Sequence, residues 1–181
     1  FLGIPFAAPP TGANRWRAPQ PAPAWQGVRD ATRFGMDCQQ SITPDRGAIG
    51  PWTWEYLPQG PVSEDCLFVN VWTPAARPGA KLPVLYWIYG GGFTSGSGAV
   101  PLYDGSALAA RGIIVVSVNY RLGFFGWFSH SALAGQDISA DDRSGNFGTL
   151  DQIAALEWVL DNIAGFGGDP GCVTIFGESG G

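Results

Sequence analysis

The chain has 181 residues, which suits one domain of ordinary size, and its 45% hydrophobic content argues against intrinsic disorder. Fifteen acidic residues against ten lysines and arginines give a net charge of −5, and no basic cluster offsets it, which argues against a nucleic-acid partner. No apolar run approaches the roughly 18 residues of a membrane-spanning helix, so no membrane span is predicted.

The first third of the chain is rich in proline. Ten of the 15 prolines fall within residues 1–61, and they rule out long regular elements there. Tryptophan, tyrosine and phenylalanine residues in the same third need a surface against which to pack. We therefore predict a loop-rich segment that wraps around the rest of the domain.

The remaining sequence alternates between strand and helix patterns. Apolar runs predict strands at residues 67–72, 84–89, 113–118 and 173–176, the third of them buried on both faces. A short helix is predicted at residues 106–111. A longer helix is predicted to begin with a capping box at Thr149 and to bury Ile153, Leu156, Leu160 and Ile163. This alternation predicts an α/β domain with a central, mostly parallel sheet.

A G-x-S-x-G motif occupies residues 177–181. It directly follows the predicted strand at 173–176, which is where the nucleophile elbow of a serine hydrolase lies. The sharp turn at such an elbow holds the serine in a strained conformation, and small flanking residues let the backbone close around it. We therefore predict that Ser179 is a nucleophile. The alternative is a glycine turn with a serine that faces solvent.

Three glycines, Gly90, Gly91 and Gly92, follow the predicted strand at residues 84–89. Ester hydrolysis builds negative charge on the carbonyl oxygen, and preorganised backbone N–H groups stabilise that charge. Glycine lets the main chain approach such an oxygen because it has no Cβ. Since the carboxyl ends of parallel strands meet at one edge of a sheet, we expect this loop to lie near Ser179. A flexible glycine turn is the alternative.

These motifs and their order resemble the amino-terminal part of the type-B carboxylesterase family, the cholinesterase-like serine esterases. The resemblance covers essentially all of the chain and depends on residues 1–10, 63–67, 86–93, 119–123, 145–152 and 166–180. It implies that residues 1–181 are the amino-terminal portion of a single α/β-hydrolase domain, truncated after the nucleophile elbow. It also implies a carboxylic-ester hydrolase that works through an acyl-enzyme.

The resemblance implies roles for individual residues. Ser179 would be the nucleophile, and the N–H groups of Gly91, Gly92 and Gly180 would form the oxyanion hole. Glu178 would line the alcohol side of the substrate pocket. The family usually has alanine after the nucleophile, so the more flexible Gly180 is expected to hold its donor less firmly.

The resemblance also implies two structural ion pairs, Arg15 with Glu64 and Arg121 with Asp169. A second departure from the family pattern lies just before the glycines. Tyr89 stands there, where many relatives carry histidine and the cholinesterase branch carries tyrosine.

Three cysteines allow three single pairings, each of which leaves one thiol free. The resemblance implies a Cys38–Cys66 disulfide and leaves Cys172 as a packing residue. In the family the loop so closed overhangs the mouth of the active-site gorge, so Trp54 or Tyr56 is expected at the gorge wall. A disulfide favours a secreted or periplasmic location over a cytoplasmic one. Reduced core thiols in a cytoplasmic enzyme are the alternative.

A serine hydroxyl needs a base to take its proton. His130 is the single histidine of the chain, and it precedes Ser179, whereas the α/β-hydrolase order is serine, acid, histidine. We therefore expect His130 to be an exposed loop residue. The catalytic acid and histidine are expected outside these 181 residues, which makes the chain a fragment that is inactive by itself.

No metal or nucleotide motif occurs in the sequence, so no cofactor is predicted. The expected partner is a small-molecule carboxylic ester. Two alternatives remain, a non-catalytic cholinesterase-like interaction domain and an inactive truncated product. The retention of Ser179 within its full motif favours the enzyme.

Overall fold

The structure is a computed structural model, and it describes residues 1–42, 54–134 and 145–181. Within these ranges the strands are β1 (Ile4–Pro5), β2 (Asp37–Cys38), β3 (Val62–Ser63), β4 (Phe68–Trp72), β5 (Leu82–Ile88), β6 (Ile114–Val118) and β7 (Gly168–Gly177). The α-helices are α1 (Ser106–Ala109), α2 (Gly123–Trp127), α3 (Ser131–Ala134) and α4 (Phe147–Asn162). Short 3₁₀ turns include Trp54–Tyr56, Pro101–Tyr103 and Ile163–Phe166.

The centre of the fold is a five-stranded sheet with the order β1-β4-β6-β5-β7. Strand β4 is antiparallel to both of its neighbours, whereas β5 pairs in parallel with β6 and β7. The sheet is therefore mixed, and the prediction of a mostly parallel sheet is correct only for the half that contains β5, β6 and β7. Residues 73–81, which join β4 to β5, are too few for a parallel crossover, which needs about a dozen residues or more.

The four predicted strands are all present, with shifted ends. Strand β6 is buried at each of its five residues, as its β-branched sequence predicts. Strand β7 begins at Gly168, five residues before its predicted start, because Gly168 pairs with Leu82 ahead of an irregularity in the register. Pro170 lies in this irregular stretch of β7. Because β7 is at one edge of the described sheet, the missing N–H of the proline is tolerated there.

Helix α4 differs from its prediction in its start and its buried face. It begins at Phe147, with Asn146 before it, so Thr149 does not cap it. Ile153 is 48% exposed and Leu160 is 43% exposed, whereas Ala155 and Val159 are buried. The other buried residues of α4 and of the 3₁₀ turn that follows it are Phe147, Gly148, Asp151 and Ile163.

Two contacts at the start of α4 explain this orientation. A Cβ on Gly148 would collide with the ring of Trp127, so the glycine lets the helix pack closely against α2. Asp151 faces the same way and forms a buried ion pair with Arg121, with 2.7 Å between Nη2 and Oδ1. A helix that must present a glycine and a carboxylate to the interior cannot also bury Ile153.

The ion pair of Arg121 corrects a sequence-based expectation. Arg121 pairs with Asp151 and not with Asp169, and Asp151 also accepts the backbone N–H of Arg121 at 2.9 Å. Burial raises the pKa of Asp151, and the adjacent Arg121 opposes that shift. Asp169 instead accepts the N–H of Gly171 at 2.9 Å. The other predicted pair, Arg15 with Glu64, is confirmed, with two hydrogen bonds of 2.6 Å.

The predicted disulfide is confirmed. Cys38 and Cys66 are bonded, with 4.9 Å between their Cα atoms, and both are buried. Cys172 is a free thiol and is exposed, so its prediction as a packing residue is wrong. None of the helices in the described ranges combines the length and apolar character that crossing a membrane requires.

Candidate active site

Ser179 lies in the turn that follows β7. Its φ angle is +55°, in the left-handed region that only four non-glycine residues of the described chain adopt. Such a conformation costs about 1–3 kcal/mol and persists only where the surroundings enforce it. The N–H of Gly181 donates to the carbonyl of Glu178 at 2.8 Å and closes the turn around the serine. Ser179 itself is exposed.

The glycines on either side of this turn are required because no Cβ fits at their positions. A Cβ on Gly177 would lie 2.5 Å from the carbonyl carbon of Gly181. A Cβ on Gly181 would collide with the carbonyl oxygen of Ile88, at the end of the neighbouring strand β5. Gly180 differs, because a Cβ there would lie 3.5 Å from the ring of Phe93, an ordinary contact. The close packing of the turn on β5 thus explains both fixed glycines of the motif, Gly177 and Gly181.

The glycine loop after β5 has an unusual backbone. Gly91, Gly92 and Phe93 have φ angles of +112°, +59° and +64°, three left-handed residues in succession. The amides of Thr94 and Ser95 both donate to the carbonyl of Gly91, at 3.1 and 3.2 Å. Because a trans peptide directs its N–H opposite to its C=O, the N–H of Gly92 points away from the interior of this loop.

The structure brings this loop and the serine turn together. Strands β5 and β7 are parallel neighbours, and their ends are in register at Ile88 and Gly177. A Cβ on Gly90 would lie 3.0 Å from the Cβ of Ser179. A Cβ on Gly180 would lie 3.6 Å from the backbone nitrogen of Gly92. The expected meeting of the two loops is thus present in the fold.

A cavity of about 370 Å³ opens at this edge of the sheet. Ser179, Glu178, Gly91 and Gly92 line it. Its other lining residues come from three further segments: Gln40, Ser41 and Ile42; Tyr56, Leu57 and Pro58; and Gly90, Ser95, Gly96, Val100 and Tyr103. Of the two predicted wall residues, Tyr56 lines the cavity, while Trp54 is partly buried at the start of the same 3₁₀ turn and is not among the lining residues.

Tyr103 is a lining residue that the sequence does not single out. Its ring meets that of Tyr56 edge to face, with 5.9 Å between the centroids. Burial raises the pKa of the Tyr103 phenol well above its usual value, and Tyr56 and the carboxylate of Glu178 raise it further. The side chains of Tyr103 and Tyr56 are also joined by a hydrogen bond. No motif marks this residue, because only the fold brings it to the cavity.

His130 lies away from the cavity. It is exposed, its Nδ1 accepts the N–H of Ala132 at 3.1 Å, and its ring stacks on Phe128. The part of the chain that the structure describes therefore places no histidine beside Ser179. No group of three or more metal-ligating side chains occurs among the described residues either.

A strained serine between a strand and a close glycine loop, at one edge of an α/β sheet, is typical of α/β-hydrolases. Comparison with known proteins defines the family. The model of the carboxylesterase family matches residues 1–181, and the chain belongs to that family. Membership confirms the resemblance seen in the sequence and implies the α/β-hydrolase fold, with which the mixed sheet is consistent.

Three curated relatives illustrate the similarity, and each aligns with the whole chain. Fumonisin B1 esterase of Sphingopyxis macrogoltabida is 51% identical, and the match covers 32% of its length. Cocaine esterase of Oryctolagus cuniculus is 49% identical, with 32% covered, and para-nitrobenzyl esterase of Bacillus subtilis (strain 168) is 49% identical, with 34% covered. The chain thus spans about a third of the length of these relatives.

Proposed function

We propose that the protein carrying this chain hydrolyses small-molecule carboxylic esters, with Ser179 as the nucleophile. The observation that supports this most directly is geometric. Ser179 holds a strained backbone conformation and lines the same cavity as Gly91 and Gly92. The esterase relatives at about 50% identity support the same reaction class. The cavity volume of about 370 Å³ is within the usual range for small-molecule sites.

The reaction proceeds in two stages through an acyl-enzyme. Ser179 Oγ attacks the ester carbonyl carbon while a base takes the hydroxyl proton. The resulting oxyanion accepts hydrogen bonds from the N–H groups of Gly91, Gly92 and Gly180, which are preorganised by the backbone. The intermediate then releases the alcohol, which takes the proton from the base. Water repeats the attack on the acyl-enzyme, releasing the carboxylic acid and restoring the serine hydroxyl.

The base is a histidine outside this chain. The position of His130 away from the cavity and the serine, acid, histidine order of α/β-hydrolases support this proposal. We propose that these 181 residues form the amino-terminal part of the catalytic domain and that they are inactive alone. Glu178 and Tyr103 both line the cavity, and we propose that Glu178 lies on the alcohol side of the substrate. The disulfide favours a secreted or periplasmic location, where such bonds persist.

A fluorophosphonate probe tests the assignment of the nucleophile. In the full-length protein the probe is expected to label Ser179, and Ser179→Ala is expected to abolish labelling and reduce kcat by about 10⁴-fold or more. Ser131→Ala is the matched control, because Ser131 is an exposed serine that does not line the cavity. It should retain labelling and activity.

Two outcomes would count against the proposal. A folded Ser179→Ala variant that hydrolyses p-nitrophenyl acetate at the wild-type rate would exclude Ser179 as the nucleophile. A folded wild-type protein that neither labels nor hydrolyses esters would instead favour a non-catalytic interaction domain.

A further inference from the structure

We propose that Gln40 is a positioning residue that holds the glycine loop and thereby fixes the backbone donors of Gly91 and Gly92. The inference rests on the proposed function, because these donors matter only if an oxyanion forms beside Ser179. It concerns the segment closed by the disulfide, which thereby supports the catalytic geometry from outside the sheet.

The side-chain amide of Gln40 pairs with both backbone groups of Gly96. Its Nε2 donates to the Gly96 carbonyl at 2.7 Å, and its Oε1 accepts the Gly96 N–H at 2.8 Å. The same Nε2 also donates to the carbonyl of Cys38 at 3.0 Å. One partly buried amide therefore joins the disulfide-bonded residue to a loop 56 residues away in sequence.

Gly96 has little room to move and transmits its position to the donors. Its φ angle is +123°, and a Cβ there would collide with the buried ring of Tyr89. The preceding residue, Ser95, donates its N–H to the Gly91 carbonyl at 3.2 Å. A Cβ on Gly91 would also collide with the Ser95 carbonyl oxygen. A shift of Gly96 therefore passes through one residue to the peptide that presents the Gly92 N–H.

Neighbouring contacts hold the next residues of the loop but not Gly96 itself. The buried carboxylate of Asp37 accepts the hydroxyl of Ser97. The side chain of Asn119 accepts the N–H of Gly98 at 2.8 Å and donates to the Met36 carbonyl at 3.1 Å. These bonds anchor the far end of the loop. Nearer to the donors, the carbonyl of Phe93 accepts the N–H of Gly123 at 2.6 Å. Gln40 is the contact through which the disulfide-closed segment holds Gly96, and it also lines the cavity.

Because Gln40 lines the cavity, its role could be substrate contact rather than positioning, and kinetics separate the two. Interactions made only in the transition state change kcat, whereas uniform substrate binding changes KM. In the full-length protein, Gln40→Ala is expected to lower kcat by about 10- to 100-fold, with KM changed by less than about twofold. The rate of fluorophosphonate labelling should fall in parallel.

Two further variants make the test specific. Gln40→Glu keeps the length and the acceptor but loses the donor to the Gly96 carbonyl, so it should lose kcat as Gln40→Ala does. If thermal melting shows that Gln40→Ala does not fold, the kinetics of Gln40→Glu provide the test instead. Gln39→Ala is the matched control, since Gln39 is the preceding, exposed glutamine, and it should behave as wild type.

The outcomes distinguish this inference from the proposed function. A raised KM with unchanged kcat in the folded Gln40 variants, or kinetics equal to those of Gln39→Ala, would overturn the positioning role. Both of those results leave the proposed function intact if Ser179→Ala is inactive. Wild-type activity in Ser179→Ala would overturn the proposed function itself.

Discussion

At the scale of single residues, the serine turn separates glycines that are required from one that is not. Gly177 and Gly181 pack where no Cβ fits, whereas Gly180 has ordinary space around its Cα and a φ angle outside the left-handed region. The role that we propose for Gly180 requires only an N–H donor, which any residue except proline supplies. The conformational freedom of Gly180 in the unfolded chain therefore lowers stability, and the folded structure does not require a glycine there.

Gly180→Ala is expected to raise the free energy of unfolding by about 0.4–1 kcal/mol, because alanine restricts the unfolded chain and fits the folded one. Esterase activity should be retained. Denaturant unfolding and steady-state kinetics of the full-length protein measure both effects.

Gly181→Ala is the contrasting variant, since its Cβ would collide with the Ile88 carbonyl. It should destabilise the protein and reduce activity. Equal losses of unfolding free energy in Gly180→Ala and Gly181→Ala would contradict this difference between the two glycines.

At the scale of elements, the disulfide segment and the glycine loop act together. The Cys38–Cys66 bond closes a segment that reaches the cavity through Gln40 and Tyr56. The segment is also held by the short parallel pairing of β2 and β3 and by the Arg15–Glu64 ion pair beside Cys66. Its stability therefore affects both the cavity wall and the loop that carries the donors.

Removal of the disulfide tests this element. The double variant Cys38→Ala with Cys66→Ala is expected to lower the free energy of unfolding by about 2–5 kcal/mol, because the unfolded chain regains the freedom of a 28-residue loop. Urea denaturation of the full-length protein under oxidising conditions measures the change. Cys172→Ala, which removes the exposed free thiol, should change stability by less than about 0.5 kcal/mol. A disulfide variant as stable as this control would refute the prediction.

Local sequence patterns predicted the secondary-structure elements better than they predicted the side-chain contacts between distant residues. The apolar runs around β5 and β6 and the turn at Ser179 depend on nearby residues, so the sequence carries their signal. The partner of Arg121 does not, because Asp151 and Asp169 are both acidic and only the fold decides which one faces it. The role of Gln40 could not be predicted from the sequence for the same reason, since its side chain bonds to the backbone of Gly96, 56 residues away.

At the scale of the whole molecule, strand β7 leaves apolar surface uncovered. It lies at one edge of the described sheet, and Ile175 is 53% exposed while Phe176 is 36% exposed. Exposed apolar residues on an edge strand are prone to pair with other chains. Its end also presents Ser179 without a neighbouring histidine in the described residues.

These features predict the behaviour of the 181 residues expressed alone. The isolated chain is expected to associate with increasing concentration, because its edge strand exposes apolar residues. It is also expected to show no ester hydrolysis above the uncatalysed rate, because the described residues place no histidine beside Ser179 to act as a base. Size-exclusion chromatography and a p-nitrophenyl acetate assay measure the two properties. A monomeric isolated chain that turns over ester as fast as the full-length protein would contradict both.

The close packing of Gly177 and Gly181 restricts which substitutions can accumulate at these positions during evolution. Backbone atoms of Ile88 and of the turn itself occupy the space that a side chain would need at these positions, and backbone cannot be exchanged for something smaller. Compensating substitutions elsewhere therefore cannot open these sites to neutral drift. Position 180 has no such barrier. Lineages that share this turn can accordingly diverge between glycine and alanine there while the glycines on either side of it stay fixed.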